Sequence, residues 1–278
     1  AVEVDVQTGA DVIEYFASLC PSMTGAQQSI GDDFFYTRHE PLGIWLGIGA
    51  WNYPLQIACW KAGPALAAGN SMIFKASEET PMGAAKLAEI LSEAGLPDGV
   101  FNVVNGDKEA VDQILDDERI KAVSFVGSTP IAEYIYSKAN ANGKRCQALG
   151  GAKNHAIVMP DADIDNAVNQ LLGAAFGSSG ERCMALSVVV AVGDEVADKI
   201  VDKMQTAMKG LKVGAFDDAS NDFGPLITLQ HKEKVEGYIT SAAEQGANVV
   251  VDGRSPTVEG YETGFFLGAT LIDNVTPE

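Results

Sequence analysis

The chain has 278 residues, a length that suggests about two domains. Its residues are 46% hydrophobic and 21% charged, as in soluble globular proteins, and no apolar run reaches the roughly 18–20 residues of a membrane span. The formal net charge of −19 argues against nucleic acid and anionic membranes as partners, because phosphate contacts need clustered Lys and Arg.

Strands and helices alternate through the first half of the sequence. After a helix that stops near Pro21, a nearly continuous apolar run at 40–49 predicts a buried parallel strand. Two helices follow, with Pro54 near the first turn of one and Pro81 at the start of the other, and short strands with short joints lie between the helices. This repetition predicts an α/β fold with a doubly wound parallel sheet from about 43 to 151. A second α/β unit follows, so we predict domains at 1–151 and 152–278.

Polar residues follow the ends of two predicted strands, where open parallel sheets bind ligands. Lys75 could donate to ribose hydroxyls or a phosphate, and Glu78 could accept from a ribose 2′-hydroxyl. A carboxylate at that place repels a 2′-phosphate, which favours NAD over NADP. Gly127 and Ser128 precede a helix whose N-terminal amides could hold a phosphate. Each feature also fits an ordinary strand-to-helix joint, but together they indicate a dinucleotide.

The cysteines bear on metal sites and on the cellular compartment. Cys20, Cys59, Cys146 and Cys183 occur without CxxC pairing, and the chain has three histidines. This pattern predicts neither a zinc site nor a disulfide framework. No leader pattern precedes the first helix, and the thiols fit a reducing compartment. We expect a cytoplasmic location, with the mitochondrial matrix as the alternative.

Cys183 is the candidate nucleophile. It lies in "GSSGERCMALS", where the neighbouring Arg182 favours the thiolate, the reactive form of cysteine. The alternative is a small buried residue with a packing role. Asn52 lies at a strand-to-helix turn, where its amide could stabilise an oxyanion, and a helix cap is the alternative there.

Four stretches carry a family resemblance. "GIGAWNYPLQIACWK", "KAVSFVGST", "GSSGERCMALS" and "DFGPLIT" resemble the aldehyde dehydrogenase superfamily, and the resemblance runs over essentially the whole chain. It implies NAD(P)-dependent oxidation of a small aldehyde through a thioester on Cys183, with Asn52 and the backbone amide of Cys183 holding the oxyanion. It makes 1–151 the NAD-binding domain and 152–278 the catalytic domain. The family's cofactor positions fall on Trp51, Lys75, Glu78, Gly127 and Ser128.

The stretch "QALGG" departs from the family's E-L-G-G motif, whose glutamate activates water for deacylation in hydrolytic members. Ala148 or Leu149 takes the place of that glutamate, and neither can accept a proton. The second half resembles the methylmalonate-semialdehyde dehydrogenase branch, which is CoA-acylating, and coenzyme A as acyl acceptor fits the missing base. That branch binds the substrate carboxylate with an upstream arginine where this chain has Thr8, which leaves Arg182 as the carboxylate partner.

The first half resembles a different branch, the betaine-aldehyde and aminoaldehyde dehydrogenases. Tyr53 and Trp60 match aromatic positions of those substrate pockets, where a trimethylammonium group can lie over ring faces. Packing in the core of a helix is the alternative for both side chains. This resemblance implies hydrolytic release of the free acid instead of transfer to coenzyme A.

Family members continue beyond the final "NVTPE", so we expect the C-terminal part of the catalytic domain to be missing from this chain. In the family, that part contacts the nicotinamide ribose and contributes the strand used for oligomerisation. A third interpretation is therefore an inactive nucleotide-binding fragment of a parent protein that forms a homo-oligomer.

Overall fold

The computed structural model describes residues 2–276 and divides into two compact units, Ala1–Gly151 and Ala152–Glu278. Two clusters of buried apolar side chains lie in the first unit and a third lies in the second unit. Among the described residues, no helix is both long enough and apolar enough to cross a membrane.

A parallel five-stranded sheet with helices on both faces forms the first unit. Its elements are α1 (Val2–Leu19), β1 (Gln27–Ile30), β2 (Asp33–Tyr36), β3 (Ile44–Ile48), α2 (Pro54–Ala67), β4 (Ser71–Lys75), α3 (Pro81–Glu93), β5 (Phe101–Val104), α4 (Lys108–Asp116), β6 (Ile120–Val126), α5 (Thr129–Ala141) and β7 (Arg145–Leu149). β1 and β2 form a separate antiparallel hairpin, and the strand order of the sheet is β5-β4-β3-β6-β7. The predicted α/β class with a doubly wound parallel sheet is confirmed.

The sheet buries a different apolar cluster on each face, because successive side chains of a strand point to opposite faces. Leu46 and Ile48 of β3 pack with residues of α4 and α5. Met72 and Phe74 of β4 pack on the other face with residues of α2 and α3. All four side chains are at most 4% exposed, so the sheet is a fixed support for the segments at its edge.

The strand order creates a switch point beside β3. The chain runs from β3 outward through β4 to β5, and then crosses back to place β6 on the other side of β3. In open α/β sheets, ligands bind outside the carboxyl ends of the strands at such a point. The segments that follow β3, β4 and β6 therefore meet at the edge where a ligand is expected.

Two glycines at that edge are required by close packing against phenylalanine rings. A Cβ atom at Gly49 would lie 2.6 Å from Cζ of Phe74, and one at Gly127 would lie 2.5 Å from Cζ of Phe125. Both distances are far below van der Waals contact, so any side chain would displace the ring. The backbone can thus run close over the end of the sheet, where a ligand would approach it.

The second unit is also α/β. Its elements are β8 (Asn154–Val158), α6 (Ile164–Phe176), β9 (Leu186–Ala191), α7 (Asp194–Met208), α8 (Leu229–Glu244), β10 (Asn248–Val251) and β11 (Leu271–Asp273). β8 and β9 pair in parallel, and β10 and β11 pair antiparallel. The core of this unit lies between α6, α7 and the strands, with Val158, Leu171 and Ile200 among its buried side chains.

Candidate active site

Three pairs of predicted site residues follow neighbouring strands of the first unit. Trp51 and Asn52 follow β3, Lys75 ends β4 with Glu78 three residues later, and Gly127 and Ser128 follow β6. Since β4, β3 and β6 are adjacent and parallel, the structure brings these six residues to the same edge of the sheet. Cys183 and Arg182 belong to the second unit.

Lys75 and Glu78 form an ion pair at the end of β4. Nζ of Lys75 lies 2.9 Å from Oε2 of Glu78, and the lysine side chain is 7% exposed against 59% for the glutamate. Burial acts to raise the pKa of Glu78, but hydrogen bonds from Lys75 and from its own backbone outweigh burial and leave the pKa below its usual value. The carboxylate is therefore an ionised acceptor, and the ammonium group is a donor beside it.

The segment Gly127–Ser128 leads into the N-terminus of α5. Ser128 is the N-cap residue, and its side chain makes no capping hydrogen bond to the helix. The amide of Gly127 donates to the carbonyl of Leu149, 3.1 Å away, which fixes the start of this joint against β7. A helix of 13 residues has amides at its N-terminus that favour an anion, so this end of α5 suits a phosphate group.

The donors and acceptors at this edge fit a nicotinamide dinucleotide. The paired Lys75 and Glu78 are a donor and an acceptor of the kind that ribose hydroxyls need, and the N-terminus of α5 suits a phosphate. Position 127 must be glycine, because the ring of Phe125 occupies the space that a Cβ would need. By contrast, the first amides of α2 are already bonded: those of Leu55 and Gln56 donate to the carboxylate of Asp5 at 3.2 and 2.8 Å.

The turn between β3 and α2 contains Asn52 and Tyr53, and Trp60 lies further along α2. Tyr53 is the N-cap residue of α2, so Asn52, one residue earlier, is not the cap of this helix. Asn52 is half-buried. Trp60 is 42% exposed on α2, which excludes the interpretation that it is a core aromatic, whereas Tyr53 is half-buried.

Cys183 is exposed, so the interpretation that it packs in a core is excluded. It follows a segment with unusual backbone geometry: Ser178, Ser179 and Gly180 have φ angles of +55°, +57° and +73°. Two consecutive serines in the left-handed region are energetically unfavourable, and such conformations cluster at functional sites. The surrounding contacts must therefore hold this segment in place.

Side chains of the second unit hold the turn that carries Cys183. Nδ2 of Asn154 on β8 donates to the carbonyl oxygens of Cys183 and Ala185 at 2.9 and 3.0 Å. The hydroxyl of Ser179 donates to the carbonyl of Gly224 at 2.7 Å. The amide of Ile227 donates to Oε1 of Glu181 at 3.2 Å. The segment "GSSGERCMALS" is thus fixed from β8 on one side and from "DFGPLIT" on the other.

Glu181 is a functional candidate that the sequence analysis did not identify. Its side chain is 10% exposed, and its Oε1 lies 3.4 Å from Nε2 of His231 on α8. Burial raises the pKa of Glu181 to about 7. Burial, followed by the charge of Lys234, lowers the pKa of His231. An acidic residue two places before the candidate nucleophile in a glycine-rich turn was the signal available in the sequence.

The stability of the second unit should depend on Glu181 above pH 4.5. Because the folded pKa of about 7 exceeds the ordinary 4.5, the folded state keeps a proton that the unfolded state has lost between these values. Stability therefore falls as pH rises through this window. Glu181→Gln keeps an acceptor for the Ile227 amide, so it should match the wild type at pH 4.5 and exceed its melting temperature at pH 8. Parallel melting temperatures across pH 4.5–8 would contradict this expectation.

The positions that match the family's deacylating glutamate lie on β7. Ala148 is half-buried among apolar side chains of the first unit, and Leu149 is 50% exposed. Neither side chain can accept a proton. Arg182, the candidate carboxylate partner, is half-buried beside Cys183.

The chain is similar to dehydrogenases of semialdehyde acids. It is 50% identical over 276 residues to malonate-semialdehyde dehydrogenase of Pseudomonas aeruginosa, covering 99% of this chain and 56% of that protein. The crystal structure of methylmalonate-semialdehyde dehydrogenase from Oceanimonas doudoroffii matches with a TM-score of 0.96 and 59% identity, covering 99% of this chain and 57% of the other. A Sinorhizobium meliloti protein assigned as methylmalonate-semialdehyde dehydrogenase, in complex with NAD, matches with a TM-score of 0.97 and 47% identity. The match covers 99% of this chain and 56% of the other.

These similarities include both units of the chain, which spans a little over half the length of each of the three relatives. The family profile of aldehyde dehydrogenases matches residues 1–278. The parallel sheet with its switch point and the exposed cysteine at a constrained turn belong to the same matched region. The chain belongs to the aldehyde dehydrogenase family.

Proposed function

We propose that the protein oxidises a short semialdehyde acid with NAD, through a thioester on Cys183, and passes the acyl group to coenzyme A. The observation that carries the proposal is the exposed Cys183 on a turn fixed by Asn154 and by the segment 224–227. A nucleophile needs access and a defined direction of attack, and this turn supplies both.

In this mechanism the thiolate of Cys183 attacks the aldehyde carbon, forming a C–S bond and an oxyanion. The amide of Asn52 and the backbone N–H of Cys183 donate hydrogen bonds to that oxygen, which carries more charge in the transition state than in the substrate. The carbon then loses its hydrogen as hydride and becomes the thioester carbonyl. When bound, NAD would supply the hydride acceptor, and the residues that would hold it are Trp51, Lys75, Glu78, Gly127 and Ser128.

Release of the acyl group is where this chain departs from hydrolytic relatives. Hydrolysis needs a general base for water, and the positions that match the family's base are Ala148 and Leu149. A thiolate of coenzyme A can attack the thioester carbonyl without that base. The new C–S bond replaces the bond to Cys183, which leaves as a thiolate and is ready for another aldehyde.

The substrate class follows from the relatives and from Arg182. Relatives named for malonate or methylmalonate semialdehyde share 47–59% identity with this chain. A guanidinium group beside the nucleophile suits the carboxylate of such a substrate. Thr8 is not a second carboxylate partner, since its hydroxyl donates to the carbonyl of Val4 within α1. The comparisons do not favour an aminoaldehyde substrate held by Tyr53 and Trp60.

The test is product analysis with the longest protein that contains this sequence. Malonate semialdehyde, methylmalonate semialdehyde and betaine aldehyde are each incubated with NAD, with and without coenzyme A. We expect NADH and an acyl-CoA product with a semialdehyde acid. If free acid forms without coenzyme A as fast as acyl-CoA forms with it, the acyl-transfer step is wrong. If betaine aldehyde is oxidised and neither semialdehyde acid is, the substrate class is wrong.

Glu78 should set the choice between NAD and NADP. Its ionised carboxylate repels a 2′-phosphate, so Glu78→Gln should raise the ratio of kcat/KM for NADP to that for NAD by about tenfold. Glu79→Gln is the matched control, because Glu79 is an exposed carboxylate one residue further along the chain. Steady-state kinetics with both cofactors measures the ratio, and an equal change in the two variants would count against the assignment.

A further inference from the structure

Glu181 lies two residues before Cys183, and the proposed reaction does not use it. Its carboxyl group accepts a hydrogen bond from the Ile227 amide at 3.2 Å and is 10% exposed. Glutamine at this position could accept the same hydrogen bond without a charge. Burying a carboxylate is unfavourable when the group ionises, so an ionisable side chain here is a stability cost that a functional role would explain.

The contact of Glu181 differs in kind from those of Asn154 and Ser179, which also hold the Cys183 turn. Asn154 and Ser179 bind through neutral amide and hydroxyl groups, whose strength does not change with pH. Glu181 binds through a carboxyl group, which accepts a stronger hydrogen bond when it is ionised than when it is neutral. The left-handed residues 178–180 lie directly before it, so the turn depends on these contacts for its geometry.

His231 faces Glu181 from the start of α8, with Nε2 of the ring 3.4 Å from Oε1. The backbone of His231 is itself fixed, because its amide donates to the hydroxyl of the N-cap residue Thr228 at 3.1 Å. Burial, and then the charge of Lys234 on the same helix, disfavour the charged form of the ring, and Arg182 is the chain neighbour of Glu181. Near neutral pH the carboxyl group of Glu181 is therefore only partly ionised.

We propose that Glu181, paired with His231, is a positioning residue for Cys183: it holds the cysteine turn against the start of α8, and its ionisation changes the reactivity of the thiol. This inference rests on the proposed function, in which Cys183 is the nucleophile. When Glu181 loses its proton, a negative charge lies on the same turn as the sulfur. That charge repels an anion at the sulfur, so alkylation of Cys183 should be slower when Glu181 is ionised than it would be beside a neutral residue.

The experiment measures alkylation of Cys183 by iodoacetamide between pH 5.5 and 8.5, read out by peptide mass spectrometry. The wild type is compared with Glu181→Gln. We expect equal rates at pH 5.5 and a rate about threefold higher in the variant at pH 8.5, with the change centred near pH 7. A ratio of rates that stays constant across this range would overturn the proposal.

Two controls accompany the comparison. Cys20 is an exposed cysteine of the first unit, and its alkylation in the same samples must be identical in both proteins. Glu195→Gln removes an exposed carboxylate at the start of α7, in the same unit as Cys183, and should leave the Cys183 profile unchanged. A Cys183 profile that changes equally in Glu195→Gln would mean that general surface charge causes the effect, and the proposal would fail.

His231→Gln keeps the proposal testable if Glu181→Gln does not fold, because the His231 side chain is 37% exposed. Removing an imidazole that can become cationic should move the inflection of the Cys183 profile to higher pH. An unmoved inflection would overturn the pairing. Alkylation needs no turnover, so its result is separable from the proposed function. NADH formation by Cys183→Ala would overturn that function. The alkylation profile would still show whether ionisation of Glu181 changes the reactivity of the Cys183 thiol.

Discussion

Replacing Cys183 with alanine should reduce NADH formation from a semialdehyde acid by about 10³-fold or more, because no thioester can form without the sulfur. The side chain is exposed, so its loss should change the free energy of unfolding by less than about 0.5 kcal/mol. Stopped-flow absorbance of NADH measures the reaction, and thermal unfolding measures the stability, in the longest protein that contains this sequence.

Cys20→Ala is the matched control for that experiment. Cys20 is also exposed, but it belongs to the first unit, directly after α1. We expect its NADH burst and its melting temperature to equal those of the wild type. Equal losses in the two variants, or a Cys183→Ala variant with a full burst, would show that Cys183 is not the nucleophile.

Replacing Asn52 with alanine should lower the rate of NADH formation by about 10²–10³-fold, the usual effect of removing one oxyanion donor. The reason is the proposed role of its side-chain amide as an oxyanion donor, and Asn52 follows the carboxyl end of β3, beside the switch point. Binding of NAD should change little, since the donors and acceptors at β4 and at α5 remain. Single-turnover kinetics and NAD titration separate the two quantities.

The control for Asn52 is Asn140→Ala. Asn140 is exposed on α5, and its amide donates to the carbonyl of Tyr136 within the same helix. A rate close to the wild type is expected for this variant. If Asn52→Ala forms NADH as fast as the wild type, the oxyanion would have to be held by other donors, and the role assigned to Asn52 would be wrong.

The sheet and its helices could be predicted because each depends on local sequence. The apolar run at 40–49 contains β3, and Pro54 and Pro81 begin α2 and α3 as expected for prolines in the first turn. The hairpin of β1 and β2 could not be predicted from the sequence. Both of its strands are exposed on both faces, and neither "QQSI" nor "DFFY" shows the apolar alternation that marks a half-buried strand.

Residues of the candidate site could be predicted from the sequence only where a short motif contains them. Cys183 and Lys75 were found from their immediate neighbours in sequence, and their catalytic and cofactor roles stay predictions. Glu181 was missed because its partners are distant in sequence: Ile227 is 46 residues away. The carboxylate of Asp5 at the start of α2, 51 residues before Gln56, was missed for the same reason. Contacts of this separation depend on tertiary packing, which no local pattern encodes.

The proposed mechanism requires an acyl group to stay bound to Cys183 until coenzyme A accepts it. The most direct measurement is mass spectrometry of the protein quenched after a single turnover with NAD and malonate semialdehyde, in the absence of coenzyme A. We expect one equivalent of NADH, an acyl adduct on the peptide that contains Cys183, and loss of the adduct when coenzyme A is added. Continued NADH formation without coenzyme A and without an adduct at Cys183 would contradict this mechanism.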